Sequence, residues 1–233
     1  MARPPRLALA GELHYLLQRG HNHHDVFADD GDREAYLTML RDAAAQYGVA
    51  IHAYALLPSE VHLLATPAHG ESLSRLMQSL GRRYVAAYNR RHGRSGALWA
   101  GRFCAGLIDG AAFGADAVVH IEALPVRIGL AMFEADWPWS SAAHHLGRRR
   151  DLLITEHPAY WALGNTPFER ELAHAHRLRE GVPEAMAAAF ASTAIRGRAL
   201  GPTVFSARIA AQSGLNLQAK ARGRPARGGG SKT

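Results

Sequence analysis

The sequence predicts an α+β protein with a ferredoxin-like split βαβ antiparallel sheet, helices on one face of that sheet, and a helical C-terminal extension. Two observations favour this fold class. The predicted elements up to Pro125 follow the order strand, helix, strand, strand, helix, strand, helix. Hydrophobic residues fill 48% of the 233 positions, which is enough to bury a core.

The first four elements form a strand, a helix and a hairpin. Residues 13–17 are the first predicted strand, which Gly20 ends. Residues 32–47 carry apolar side chains at helical spacing, and Gly48 follows where a left-handed residue commonly ends a helix. Residues 49–57 and 61–65 are predicted to pair as the hairpin.

The next elements complete the sheet and begin the extension. Residues 73–88 form a long amphipathic helix, and residues 102–108 are the fourth strand. Residues 111–123 form a helix that Pro125 is expected to stop, because the residue before a proline avoids helical conformation. Two further helices are predicted at residues 167–179 and 183–192.

A change of composition after about residue 148 sets the expected domain organisation. Residues 1–148 form one domain, and residues 149–217 form the helical extension. Residues 218–233 are basic and rich in glycine, which predicts a disordered tail.

The net charge of +7 is concentrated in two segments that contain no acidic residue. Residues 82–102 carry +6 and residues 218–233 carry +5, so the remainder is slightly acidic at −4. Such segments typically bind phosphate backbones, because arginine displaces condensed counterions. A solvated helix with a solubilising tail is the alternative. The arginines of these segments that are expected to contact nucleic acid are Arg82, Arg83, Arg90, Arg91, Arg94, Arg102, Arg222 and Arg224.

The sequence also excludes several classes of protein. Its single cysteine, Cys104, rules out an intrachain disulfide and a CxxC zinc motif, and it fits a reducing, cytoplasmic setting. The first apolar stretch is too short and too polar for a signal peptide or a membrane span. Neither basic segment has the broad apolar face of a membrane-surface helix.

Several short strings resemble one known family when they are taken in order. They are Gln18–Arg19–Gly20–His21–Asn22, Leu57–Pro58–Ser59–Glu60–Val61–His62–Leu63–Leu64, Asn89–Arg90–Arg91–His92–Gly93, Leu98–Trp99, Gly101–Arg102–Phe103, Leu124–Pro125–Val126–Arg127–Ile128–Gly129–Leu130 and Asp136–Trp137–Pro138–Trp139–Ser140–Ser141. Over roughly residues 1–146 their order and spacing resemble the IS200-like single-tyrosine transposases, in particular the REP-associated branch.

The resemblance implies a ferredoxin-like fold that cuts and rejoins single-stranded DNA next to hairpins. It implies a divalent ion, Mg²⁺ or Mn²⁺, held by a His-hydrophobic-His motif, and a helix tyrosine that forms a 5′-phosphotyrosine link. Side chains two residues apart on a strand point the same way, so both can hold one ion. The metal offsets charge on the phosphate, and the tyrosine supplies the nucleophile.

The sequence departs from this pattern at three positions. Glu60 stands at the first histidine of the motif, two residues before His62. His120 stands at the tyrosine position, and Leu124 replaces the polar residue one helical turn later. Carboxylate oxygen suits Mg²⁺ or Mn²⁺, so Glu60 and His62 stay candidate metal ligands, with a surface glutamate beside a strand histidine as the alternative. Together the changes predict impaired or lost strand transfer.

Other side chains allow two interpretations each. Tyr84 and Tyr88 are expected to pack in the core, with stacking on an unpaired base as the alternative. The histidine-rich turn, His21 to His24, is expected to be an exposed loop, although such tracts also bind metal. The family resemblance implies that this loop and Arg19 contact DNA. The segment Arg222–Gly223–Arg224–Pro225 resembles an AT-hook, which inserts arginine into a narrow minor groove.

The sequence therefore predicts a DNA-binding protein of the IS200-like transposase family whose catalytic positions are substituted. A catalytically inactive nucleic-acid-binding regulator and a metal-dependent nuclease without a covalent intermediate are the alternatives. The expected partner is single-stranded or hairpin DNA rather than a membrane, and a homodimer is left open.

Overall fold

The computed structural model describes residues 8–213. The predicted tail at 218–233, with Arg222, Arg224 and the AT-hook, lies outside these residues. The strands are β1 (Leu13–Arg19), β2 (Val49–Leu56), β3 (Glu60–Pro67), β4 (Cys104–Ile108) and β5 (Ala199–Leu200). The helices are α1 (Asp30–Tyr47), α2 (Ser72–Arg91), α3 (Gly110–Arg127), α4 (Ala142–His145), α5 (Pro158–Trp161), α6 (Pro167–Glu180), α7 (Glu184–Arg196) and α8 (Thr203–Ser213).

The sheet has the strand order β2-β3-β1-β4-β5. Its first four strands pair antiparallel, with β1 between β3 and β4, which is the ferredoxin-like arrangement. The short strand β5 pairs parallel with β4 and extends the edge of the sheet. The predicted α+β fold class is confirmed.

Helices α1 and α2 pack on one face of the sheet. Asp29 caps the start of α1 by accepting a hydrogen bond from the backbone N–H of Asp32, and Gly48 ends the helix with φ of 62°. Tyr36 of α1 and Tyr84 of α2 are buried in the same cluster as Leu16 of β1. The Tyr84 hydroxyl donates to the carbonyl of Val26, and Tyr84 packs in the core as expected.

Helices α3 and α7 cover the opposite face. Tyr15 and Leu17 of β1 point into this second layer, where Ile121 of α3 and Phe190 of α7 are buried with them. The prediction of helices on one face therefore describes α1 and α2 only. Because successive strand residues point to opposite faces and β1 is buried along both, helices cover both faces of the sheet.

Helix α3 continues past Pro125 to Arg127, so the predicted stop at this proline is wrong. A proline within a helix removes one backbone N–H donor. Here the loss falls in the last turn, where few hydrogen bonds remain to be broken. Pro125 is buried against the molecule, and Gly129, with φ of 75°, turns the chain away after the helix.

The helices after residue 148 form locally recognisable units. Thr166 and Glu169 make a reciprocal capping box at the start of α6, with Pro167 in the first turn. Gly197, with φ of 63°, ends α7. No helix in residues 8–213 combines the length and apolar character that crossing a membrane requires.

Candidate functional site

The residues predicted to carry chemistry lie on the sheet face beneath α3 and α7. Strand β3 places Glu60 and His62 two residues apart, so they share this face. The antiparallel register sets Arg19 of β1 opposite Glu60 and Leu17 opposite His62. Tyr15 lies two residues further along β1, on the same face.

Tyr15 connects two of the predicted residues. Its hydroxyl lies 2.6 Å from His62 Nδ1 and 3.5 Å from His120 Nε2, so it forms a short hydrogen bond with the first and a long one with the second. The rings of Tyr15 and His120 meet edge to face, 5.8 Å apart. Strand β1, strand β3 and helix α3 thus bring His62 and His120 into one pocket.

Glu60 is already paired within the protein. Arg19 Nε donates to Glu60 Oε1 at 2.7 Å, and His62 Nε2 lies 3.1 Å from Glu60 Oε2. Burial raises the pKa of Glu60, but the hydrogen bond from His62 and the charges of His62 and Arg19 together hold it below its ordinary value. Glu60 is therefore a carboxylate with a fixed cationic partner.

His120 occupies a closed site. Its side chain is 4% exposed, and the Phe190 ring of α7 lies 5.3 Å from its imidazole. Burial, followed by the charges of His62 and Arg127, lowers the pKa of His120 to about 3, so the ring is neutral at pH 7. His120 Nδ1 is buried and has no hydrogen-bond partner among the described residues. Leu124, one turn later, packs into the same apolar layer.

The ion pair between Arg19 and Glu60 opposes the binding of a catalytic divalent ion at this position. The two candidate ligands, Glu60 and His62, lie close together, but Arg19 competes with a cation for the carboxylate. Across residues 8–213, the one group of three acidic, histidine or cysteine ligands within reach of a common ion is Glu122, His145 and His174. That group is buried and lies outside the predicted site.

The basic segment forms an exposed surface. All its arginines are exposed, although Arg83 pairs with Asp42 and Arg91 pairs with Asp29 and Asp32. The guanidinium of Arg94 lies over the ring of Tyr88. Within the described part of the chain, four arginines of this segment form no ion pair: Arg82, Arg90, Arg94 and Arg102.

The histidine-rich turn lies next to this surface. Residues His21–His23 form a short 3₁₀ turn in which Asn22 and His23 have positive φ. His23 and His24 line a shallow polar pocket together with Tyr88 and Arg94. The turn is exposed, as the sequence predicts.

Sequence reasoning missed two residues that shape the catalytic position. They are Tyr15, which the sequence places on the first predicted strand without a chemical role, and Phe190, which belongs to a helix far away in the sequence. Alternation along β1 places Tyr15 and Arg19 on one face, and this pattern could have indicated that Tyr15 lies at the site. Nothing in the sequence indicates that α7 returns to cover His120.

The comparisons with known proteins agree with this architecture. Residues 13–118 match the family model described as "Transposase IS200 like". A solved REP-associated tyrosine transposase bound to a REP hairpin shares the fold, with a TM-score of 0.53 at 18% identity, over 66% of this chain and 91% of that one. A search of the curated proteins by sequence finds no match.

A second solved structure, a candidate transposase from Deinococcus radiodurans R1, is 25% identical over 45% of this chain and 84% of that one. Its TM-score of 0.35 is too low to indicate a shared fold.

Proposed function

Since residues 13–118 match the family model of IS200-like transposases, we propose that this protein binds single-stranded or hairpin DNA without forming a covalent link to it. One observation carries the proposal. The side chain at the tyrosine position is the imidazole of His120, which is buried beneath Phe190 and has an unpartnered nitrogen among the described residues. The protein is then a DNA-binding regulator derived from a transposase.

Strand transfer requires a nucleophile that can reach the phosphate, and the pocket offers none. His120 is closed off from solvent, and the hydroxyl of Tyr15 is the other candidate. Tyr15 is 1% exposed, and burial, followed by the charge of Glu60, raises its pKa above the ordinary value. A buried phenol that resists ionisation is a poor nucleophile.

DNA binding rests on the exposed arginines of α2 and the following loop. Arg82 and Arg90 lie two turns apart on α2, and Arg102 precedes β4. None of the three forms an ion pair within residues 8–213, so each is available to a phosphate oxygen. The similar solved structure contains a REP hairpin bound to that transposase. The binding of hairpin DNA by this protein is part of the proposal.

A labelled hairpin oligonucleotide with a single-stranded flank tests the proposal. We expect a shifted band on a native gel, and no covalent or cleaved product on a denaturing gel with Mg²⁺ or Mn²⁺. The double variant Arg82→Ala/Arg90→Ala should weaken binding at least tenfold. Arg179→Ala removes an equally exposed charge from α6 and should leave binding unchanged.

A metal-dependent nuclease is the second candidate. The proximity of Glu60 and His62 favours it, because a hydrated divalent ion needs few ligands from the protein. The ion pair with Arg19 opposes it. Cleaved oligonucleotide without a protein adduct, absent in the His62→Ala variant, would establish this candidate and refute the first.

A further inference from the structure

A second cluster of functional groups lies on the far side of α3 from the pocket residues. Glu122 of α3 lies within hydrogen-bond reach of His145 of α4 and His174 of α6: Oε1 is 2.6 Å from His145 Nδ1, and Oε2 is 2.7 Å from His174 Nε2. The Ser141 hydroxyl also donates to Oε1. The three ligand atoms all lie within 4.8 Å of one another.

The cluster is closed to solvent, and a carboxylate lies at its centre. Glu122 and His145 are fully buried, and His174 nearly so. No lysine or arginine of the described chain pairs with Glu122. A carboxylate in such a place is costly unless hydrogen bonds or a bound cation offset the lost hydration.

The hydrogen bonds of the cluster leave one buried nitrogen unsatisfied. With Nδ1 of His145 directed at Glu122, the other nitrogen of this ring, Nε2, is buried and has no hydrogen-bond partner among the described residues. A hydrogen-bonded network alone therefore does not satisfy the ring. A divalent ion held by the carboxylate and both imidazoles offsets the negative charge while both rings stay neutral.

We propose that Glu122, His145 and His174 bind one divalent transition-metal ion, with Zn²⁺ as the best match. Two imidazole nitrogens and one carboxylate oxygen suit zinc, whereas Mg²⁺ prefers oxygen ligands only. The site has no open face for substrate, so the ion is structural. It joins α3 to α4 and α6, and it is taken up as these helices fold together.

Metal analysis of the untagged full-length protein tests the site. We expect about one zinc per chain after purification in zinc-containing medium. Removing the ion with a chelator should lower the melting temperature by at least about 5 °C. Refolding with Co²⁺ in place of zinc should give the visible absorption of a protein-bound cobalt ion.

Two variants separate this site from other histidines. Glu122→Gln keeps the size of the side chain and should reduce bound metal at least tenfold. His176→Gln on the exposed side of α6 and His23→Gln in the histidine-rich turn should keep it.

Wild-type protein that refolds without metal, and whose melting temperature is unaffected by Zn²⁺ or Co²⁺, would overturn the proposal and leave a hydrogen-bonded network. Retention of metal by Glu122→Gln, or its loss from His23→Gln, would also overturn it. These measurements use no DNA, so their result is independent of the proposed function.

Discussion

The hydroxyl of Tyr15 defines the chemistry of the pocket at the scale of single residues. It bonds to His62 and lies next to His120, while Arg19 neutralises Glu60. These contacts satisfy most of the polar atoms that a metal and a reacting phosphate would otherwise engage. His120 Nδ1 is the exception, because it is buried without a partner among the described residues.

Acid pH should destabilise the protein through His120. Its pKa falls from an ordinary value near 6.5 to about 3 in the folded state, so the unfolded state binds more protons between these values. Stability is therefore complete above pH 6.5 and declines as the pH falls toward 3. His120→Leu should reduce this loss by about 1.4 kcal/mol for each pH unit below about 6.5.

Urea unfolding at pH 7.0 and pH 5.0 measures that difference. His14 and His52 are also buried with pKa values lowered to about 4, so the variant keeps part of the acid sensitivity. Parallel stability curves for wild type and variant would contradict the role of His120.

Helix α7 has the clearest effect at the scale of elements. Its buried residues Phe190 and Ala194 complete the layer over β1 and α3, and Phe190 covers His120. The opposite side of α7 carries Ile195, which is 46% exposed. Helix α7 therefore provides a buried position and an exposed position for a matched pair of substitutions.

Phe190→Ala should lower the free energy of unfolding by about 3–5 kcal/mol, because it removes a fully buried ring and leaves a cavity. Ile195→Ala on the same helix should change it by less than about 0.5 kcal/mol. Denaturant titration measures both values. Equal effects would mean that α7 is not packed on the sheet as described.

The predicted tail at residues 218–233 is an element whose role remains a sequence prediction. Its Arg-Gly-Arg-Pro segment should favour the narrow minor groove of A·T-rich duplex DNA. Deleting the tail should weaken binding to an A·T-rich duplex more than to a G·C-rich one, as measured by fluorescence anisotropy. Equal losses on both duplexes would identify the tail as a plain polycation.

Charge polarity is the property of the whole molecule that bears on function. The chain has a net charge of +7, and its basic segments oppose a slightly acidic remainder. This distribution directs polyanions toward the exposed arginines around α2. It also makes binding depend on counterion release.

DNA affinity should therefore fall steeply as salt rises. For single-stranded DNA the slope of log K against log salt concentration changes by about 0.7 for each phosphate contact, so Arg82→Ala/Arg90→Ala should flatten it by about 1.4. Arg179→Ala serves as the control for the loss of an exposed charge outside this surface. An affinity that does not respond to ionic strength would refute phosphate contact by these arginines.

The sequence by itself determined the order of β1 to β4 with α1 to α3, and the helices α6 and α7, because capping residues, glycines and apolar periodicity act within a few positions. Gly48 ends α1 as predicted, and Glu60 and His62 share a face because strand alternation is local. The failure at Pro125 shows the limit of such rules, since burial held the helix together past the proline.

Only the tertiary structure decided what surrounds each candidate residue. Strand register set Arg19 beside Glu60, and helix packing placed Phe190 over His120. His145 and His174 lie 23 and 52 positions after Glu122 in the sequence, and no local pattern connects the three residues. Contacts between distant segments depend on the packing of the whole chain, so local residue preferences cannot specify them.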